Sequence, residues 1–246
     1  MRSRAPMTLI AVVLLTGSVV VYYAQVLIYR DPSHTGFYFL QDLAFVPIQV
    51  LLVVLLIERM LAERDRRALL HKLNMVIGAF FSEVGTRLLG ELTPAVRGKD
   101  EIRERLGVSA AWTHRDFQRA MAFAREFAYD MDPRRLDLYA LRDLLAAKRE
   151  FMVRLLENPN LLEHERFTDM LWAIFHLSEE LSARESLLDL SDNDRAHLAD
   201  DMERAYSRLT GEWVAYLQHL QASYPFLFSL VARTHPLQEH PSAAIP

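Results

Sequence analysis

The amino-acid sequence predicts an all-α protein in which an N-terminal two-helix transmembrane hairpin precedes a cytoplasmic helical bundle of about six helices. Two long apolar segments, separated by a short polar turn, occupy the first 57 residues. The chain after them is rich in charge and places apolar residues at helical spacing. It lacks alternating β-branched runs, and the whole chain has only eight glycines. These observations favour helices throughout, with the first two in a membrane.

The same patterns divide the chain into four predicted parts. Residues 1–57 form the hairpin, and residues 58–72 form a charged helical stalk. Residues 73–233 form the helical domain. Residues 234–246 contain three prolines and few apolar side chains, so they are predicted to be a disordered tail.

The first predicted span covers residues 7–29. It carries no charged side chain and exceeds the roughly 20 residues that cross a hydrocarbon core. A secretory signal peptide is the alternative, because Arg2 and Arg4 form a basic start. The apolar stretch is longer than a typical signal core, and no small-x-small cleavage site follows it. The pattern therefore favours a retained span.

The second predicted span covers residues 37–57. The turn at 30–36 is too short to hold a domain, so the two spans are expected to be antiparallel. Basic residues gather at the end of the hairpin opposite the turn: Arg2, Arg4, Arg59, Arg64, Arg66, Arg67 and Lys72. The turn offers only Arg30. The positive-inside rule then places both termini in the cytoplasm and the protein in the cytoplasmic (inner) membrane.

Four polar residues lie inside the predicted spans: Gln25, Gln41, Asp42 and Gln49. One interpretation is an ion or proton pathway, because carboxylates inside a membrane are costly and usually functional. The other is structural. Asp42 lies near the N-terminal end of its helix, where it would bond to Gln25 or to a neighbouring subunit. The structural interpretation is favoured, since Asp42 is within reach of the membrane interface.

Residues 73–92 are apolar around most of a helix and are predicted to form the central helix of the domain. Gly78, Ser82 and Gly85 form a stripe of small residues, where a second helix is expected to approach closely. No proline or glycine occurs between Pro47 and Gly78. The second span, the stalk and the core helix are therefore predicted to form one rod, which would couple movement of the span to the domain.

Local signals mark several later helices. Thr113 with Asp116 predicts a capped helix start, and Asp132-Pro133 predicts the start of the next helix. Apolar residues between 198 and 220 step by three and four, which is typical of a bundle seam.

Two sequence blocks carry a family resemblance. FLQDLAFVPIQVLLVVLLIER and KLNMVIGAFFSEVGTRLL resemble a group of uncharacterised two-span bacterial and archaeal membrane proteins with a helical cytoplasmic domain. The resemblance is closest over residues 37–92. It implies a prokaryotic membrane protein, but it supplies no activity and no catalytic residue.

The sequence offers weak candidates for a metal site. Carboxylate-bridged metal centres in helical bundles need Glu-x-x-His on two helices and glutamates on two others. The nearest approach here is a set of five residues on two helices: His176, Glu180, Asp194, His197 and Asp201. The full pattern is absent, and His197 and Asp201 are expected on the exposed side of the 198–220 seam. The sequence therefore predicts a solvated face, with no metal, no cofactor and no catalytic residue.

Composition narrows the function. The chain has no cysteine, which excludes disulfides and thiolate sites. The part after residue 57 has more acidic than basic residues, which argues against nucleic acid as the main partner. The favoured function is a membrane-anchored helical scaffold, interaction or signal-coupling module. Its predicted partners are the lipid bilayer and further copies of the chain. The alternatives are an oligomeric ion channel with a pore built from the two spans, and a metal-dependent helical-bundle enzyme.

Overall fold

A computed structural model describes residues 5–30, 32–162, 164–238 and 241–244. The described residues are helical almost throughout and contain no strand; their only β pairing is an isolated bridge between Val96 and Met131. The all-α prediction is therefore confirmed. The chain divides into two compact units, Met1–Arg66 and Arg67–Pro246.

The N-terminal unit is built from α1 (Ala5–Tyr29) and the first part of α2 (Pro32–Phe80). Arg30 ends α1 in the left-handed region with φ of 51°, and its backbone N–H donates to the Val26 carbonyl at 2.9 Å. Pro32 then starts α2, because a fixed φ suits the first helical position. The two helices are thus joined by a very tight connection.

Apolar side chains in this unit lie on the surface. All described residues from 36 to 66 are exposed. Among the described residues, one helical segment, Gly36–Arg66, is long and apolar enough to cross a membrane, while Val12–Ile28 is a shorter apolar segment. The first predicted span and the hairpin arrangement in a membrane therefore remain predictions. Arg2 and Arg4, which contribute to the predicted orientation, lie outside the described residues.

The C-terminal unit begins with the last turns of α2, where Leu73 and Ile77 are buried. The chain then widens into a π-helical segment, Phe81–Gly85, before α3 (Thr86–Leu92). The predicted core helix is thus helical throughout but contains a π segment. A Cβ at Gly85 would lie 2.5 Å from the Phe81 ring and 2.7 Å from the Phe80 ring, which explains the glycine.

The predicted stripe of small residues has three different surroundings. A Cβ at Gly78 would lie 3.6 Å from the Tyr216 ring, which is ordinary contact with another helix. The Ser82 side chain interacts with Tyr216 and opposes the rise in the pKa of Tyr216 that burial causes. At Gly85 the nearest side chains are those of Phe80 and Phe81, one turn earlier in the chain, so the close approach there is not made by a second helix.

The remaining helices complete the C-terminal unit: α4 (Lys99–Leu106), α5 (His114–Glu126), α6 (Leu138–Leu156), α7 (Pro159–Leu162), α8 (Glu165–Ala183), α9 (Asp192–Ser223) and α10 (Pro225–Thr234). Helix α9 packs against α3, α5, α8 and α10. It is therefore the most central helix of the unit, although residues 73–92 were predicted to take that place. Its length explains the difference, because its apolar seam serves several neighbours at once.

Caps explain where several helices begin. Thr113 and Asp116 form the predicted capping box of α5. Asp132 instead caps a 3₁₀ turn, Pro133–Arg135, and α6 begins only after Asp137, whose carboxylate accepts two backbone hydrogen bonds. The predicted cap at Asp132 with proline after it is confirmed, but it begins a 3₁₀ turn; the long helix α6 begins later, where Asp137 supplies the cap.

Residues 235–238 of the C-terminal tail are packed against the C-terminal unit. His235 and Leu237 are each 1% exposed, and the His235 Nε2 atom lies 3.1 Å from the Val108 carbonyl oxygen. The Gln238 side-chain amide donates to the carbonyls of Val108 and Ala232 at 3.1 and 2.6 Å. The prediction of disorder is therefore wrong for residues 235–238, because one apolar and two polar side chains anchor them.

Candidate functional site

Four ionisable side chains meet between α8 and α9. His176 and Glu180 lie four residues apart on α8, and His197 and Asp201 lie four residues apart on α9. This spacing places both members of each pair on one helix face. Because the two helices pack together, one donor atom from each residue lies within 4.8 Å of the others. We call these four residues the His–carboxylate cluster.

The nitrogens and carboxylate oxygens alternate within the cluster. The His176 Nε2 atom lies 3.3 Å from Asp201 Oδ1 and 4.0 Å from Glu180 Oε1. The His197 Nε2 atom lies 3.4 Å from Asp201 Oδ2 and 3.5 Å from Glu180 Oε2. Each imidazole is thus close to one carboxylate on its own helix and to one on the neighbouring helix.

Burial changes steeply across the cluster. The Asp201 side chain is 1% exposed, whereas those of His176 and His197 are 46% and 53% exposed. The sequence-based prediction that Asp201 lies on the exposed side is therefore wrong. Asp201 follows Leu198 by three residues, so it shares the face of α9 that packs into the domain. The cluster runs from a buried carboxylate to solvent.

Asp201 has an unusual hydrogen-bond environment. Its Oδ1 atom accepts a hydrogen bond from Arg204 at 2.8 Å. Its Oδ2 atom is buried and has no hydrogen-bond partner among the described residues, although His197 Nε2 is 3.4 Å away. A buried polar atom without a partner costs about 1–3 kcal/mol, more if charged, so this oxygen needs a ligand or an explanation.

An arginine also orients the second carboxylate. Arg184 Nη1 donates to Glu180 Oε2 at 2.7 Å, and this hydrogen bond holds the pKa of Glu180 below its ordinary value. Glu180 is therefore an anion at neutral pH. Each carboxylate gives one oxygen to an arginine, which leaves Glu180 Oε1 and Asp201 Oδ2 for another ligand.

The fifth metal candidate lies apart from the cluster. Asp194 belongs to the first turn of α9, where its Oδ2 atom accepts a hydrogen bond from the Ser191 hydroxyl at 2.6 Å. Its other carboxylate oxygen lies 3.8 Å from Arg184 Nη2. Asp194 thus supports the helix start, while the other four candidates come together.

The polar residues of the N-terminal unit form a separate feature. The Tyr22 hydroxyl donates to Asp42 Oδ2 at 2.8 Å, which links α1 to α2. The predicted partner of Asp42 within the chain was Gln25, which lies on α1 one helical turn after Tyr22. The observed bond favours the structural interpretation of Asp42. Gln41 and Gln49 are exposed on α2.

A second buried carboxylate on α9 was not predicted from the sequence. Glu212 is 5% exposed, and its Oε1 atom lies 3.4 Å from Arg166 Nε. Burial raises the pKa of Glu212, and the positive charge of Arg166 opposes this effect. Like Asp201, it follows a seam leucine by three residues, and that position was the available signal. It borders a cleft of about 210 Å³ lined by Arg125, Arg166, Asp169, Ser207, Arg208 and Gly211.

Comparison with known proteins places the chain in a family. Residues 69–233 match the family described as "Uncharacterized protein MJ1433, C-terminal helical domain", and residues 2–61 match "MJ1433, N-terminal helical domain". The chain belongs to the MJ1433 family. The gap between the two matched segments contains the structural division at Arg66 and Arg67.

One relative covers nearly the whole chain. The uncharacterized protein MJ1433 of Methanocaldococcus jannaschii is 42% identical over 236 residues, which are 96% of this chain and 95% of the relative. No solved structure matches the chain. The MJ1433 family thus confirms the predicted resemblance as an uncharacterised family with an archaeal member and helical N- and C-terminal domains.

Proposed function

We propose that this member of the MJ1433 family is an integral membrane protein, in which a two-span hairpin anchors a cytoplasmic helical scaffold or signal-coupling module. The segment Gly36–Arg66 carries the proposal. Its most apolar 18-residue window has a mean hydropathy of 2.3, and none of that window is buried. Soluble monomers rarely expose so large an apolar surface, because its burial is strongly favourable.

The dimensions of the helices agree with a membrane. At 1.5 Å per residue, the 31 residues of Gly36–Arg66 extend about 46 Å, beyond a hydrocarbon core of about 30 Å. The 25 residues of α1 extend about 37 Å. Large apolar side chains of α1 are exposed as well, including Leu14, Leu15 and Ile28. Helix α1 is therefore proposed as the first span.

The proposed topology places the tight connection outside and both termini in the cytoplasm. It follows from the basic residues after the second span, against Arg30 alone at the connection. The Tyr22–Asp42 hydrogen bond would then lie near the outer interface, where a carboxylate is least costly.

The absence of cysteine allows a direct topology experiment. Gly36→Cys adds a side chain into open space, and Ala110→Cys marks an exposed position of the C-terminal unit. In intact cells, a membrane-impermeant maleimide should label Cys at 36, and should label Cys at 110 only after permeabilisation. The reverse pattern would overturn the orientation. Release of the protein by alkaline carbonate would overturn membrane insertion.

Self-association belongs to the same proposal. Gln41 and Gln49 are exposed on the apolar segment, and an amide facing hydrocarbon is stabilised by bonding to another helix. A second copy of α2 supplies such a partner. Light scattering in mild detergent and in nanodiscs should give an oligomer, and Gln49→Leu should weaken it. A strictly monomeric mass in both media would contradict self-association.

A further inference from the structure

We propose that the His–carboxylate cluster binds one divalent transition-metal ion, with His176, Glu180, His197 and Asp201 as its ligands. The site belongs entirely to the C-terminal unit, so it stands whether or not the N-terminal unit spans a membrane. Three independent features of the cluster support it: the spacing of the donors, the orphaned oxygen of Asp201 and the chemistry of the ligand set.

The donor spacing suits a small ion. Four ligands about 2.1 Å from a tetrahedral ion lie about 3.4 Å from one another. Two of the nitrogen–oxygen distances join the histidines to the oxygens that the arginines leave free. They are 3.4 Å from His197 Nε2 to Asp201 Oδ2 and 4.0 Å from His176 Nε2 to Glu180 Oε1. Small rotations of partly exposed side chains would bring all four donors onto one ion.

The Asp201 Oδ2 atom supplies the second argument. It is buried, accepts no hydrogen bond from the described residues and lies 3.4 Å from His197 Nε2. If the cluster were only a network of ion pairs, the available arginines would be expected to satisfy this oxygen. Arg204 instead bonds Oδ1, and Oδ2 is left facing His197. A metal ion is the ligand that would complete this arrangement.

Two arginines lie where they can orient the carboxylate ligands of a metal ion. Ligating carboxylates are commonly held by hydrogen bonds from outside the coordination sphere. Arg184 and Arg204 each bond one oxygen of a cluster carboxylate, at 2.7 and 2.8 Å. They therefore orient Glu180 and Asp201 and leave one oxygen of each for the ion.

The ligand types define the class of metal. Two imidazoles with two carboxylates suit zinc, iron, manganese or cobalt, whereas magnesium and calcium prefer oxygen ligands alone. Thiolate-dependent metals are excluded because the chain has no cysteine. Both histidines are about half exposed, so an ion can enter from solvent.

The test uses the full chain in mild detergent, stripped of metal with a chelator and titrated separately with Zn²⁺ and Co²⁺. Calorimetry should give one ion per chain, and Co²⁺ should develop the visible absorption of a nitrogen- and oxygen-ligated ion. His176→Ala and His197→Ala should each weaken binding at least about tenfold. His114→Ala, an exposed histidine on α5, should leave it unchanged.

The role of the Asp201 carboxylate is tested with its own matched control. Asp201→Asn should weaken binding at least about tenfold, whereas Asp200→Asn, at the exposed neighbouring position, should not. Because Asp201 is buried, its variant is first checked for folding by circular dichroism. If it fails to fold, the histidine variants decide the question, since those side chains are about half exposed.

A second readout does not depend on affinity alone. Zn²⁺ should raise the thermal unfolding temperature of the unaltered protein, because an ion that binds only the folded state stabilises it. The same addition should have no effect on His197→Ala. The proposal is overturned by absence of saturable binding of either ion, by binding that His176→Ala and His197→Ala leave intact, or by an equal thermal shift in both proteins.

Discussion

The two units of the chain place their apolar side chains in opposite ways. In the N-terminal unit all described residues from 36 to 66 are exposed. In the C-terminal unit the largest buried side chains include Trp213, Phe80 and Phe81, which are fully enclosed. One chain thus contains a unit that folds around its own core and a unit whose apolar surface still needs a partner. The proposed membrane anchor would account for the difference, because it gives the two units different solvents.

The carboxylate side chains of the two units also differ in burial. In the N-terminal unit Asp42 lies at the surface and accepts a hydrogen bond from one tyrosine. In the C-terminal unit two carboxylates of α9, Asp201 and Glu212, are buried. Burial of a carboxylate is costly unless it is paired or ligated. We therefore expect chemistry in the C-terminal unit and anchoring in the N-terminal unit.

The largest expected effect tests the core of the C-terminal unit. Trp213→Ala should reduce the free energy of unfolding by about 3–5 kcal/mol, because it removes a fully buried aromatic side chain. Trp172 is 60% exposed, so Trp172→Ala should change it by less than about 0.5 kcal/mol. Chemical denaturation followed by circular dichroism measures both. Equal losses in the two variants would contradict the assigned core.

A smaller effect is expected at the π-helical segment. Gly85→Ala should cost about 1–3 kcal/mol, because the new Cβ would lie 2.5 Å from the Phe81 ring and force the rings to move. Gly211 on α9 has open space around its Cβ position, so Gly211→Ala should stabilise the unit by up to about 1 kcal/mol. Thermal unfolding of the two variants should therefore shift in opposite directions. A neutral Gly85→Ala would count against the close ring packing.

The next prediction concerns the link between α1 and α2. Tyr22→Phe removes the donor to Asp42 and should weaken the pairing of these helices by about 0.6 kcal/mol, a typical value for such bonds in membranes. Titration with a denaturing detergent, followed by far-ultraviolet circular dichroism, measures the shift. Tyr23→Phe, at the neighbouring exposed tyrosine, is the control. Identical midpoints for both variants would argue that the bond has no structural role.

The smallest effect is a pH dependence at the tail. Burial lowers the pKa of His235 below its ordinary value of 6.5. The unfolded chain therefore takes up a proton more readily, and stability should be lost as the pH falls below about 6.5 towards the folded pKa. His235→Gln should lack this part of the pH profile, and an unchanged profile would contradict the assignment.

Sequence signals predicted local structure better than they predicted contacts between distant residues. Local signals held where neighbouring residues decide the conformation, as in the Thr113–Asp116 capping box. At Asp132-Pro133 they predicted the cap but misplaced the start of α6, because Asp137 offers a second cap five residues later. The anchored tail was missed for the opposite reason, since His235 depends on Val108, more than a hundred residues away.

The His–carboxylate cluster shows the same limit. The spacing of four between His176 and Glu180, and between His197 and Asp201, is visible in the sequence and aligns each pair on one face. The spacing within one helix does not determine which face turns towards α8 or how the two helices are offset. Asp201 was therefore expected in solvent, although packing of α9 buries it.

The central contrast can be tested most directly by attaching a spin label to a single cysteine in each unit. Leu52 in the apolar segment and Leu188 in the C-terminal unit are 60% and 77% exposed. In lipid bilayers, a label on Leu52→Cys should collide readily with oxygen and hardly with a water-soluble relaxant, and a label on Leu188→Cys should do the reverse. Equal access of the water-soluble relaxant to both labels would contradict the assignment of two solvents.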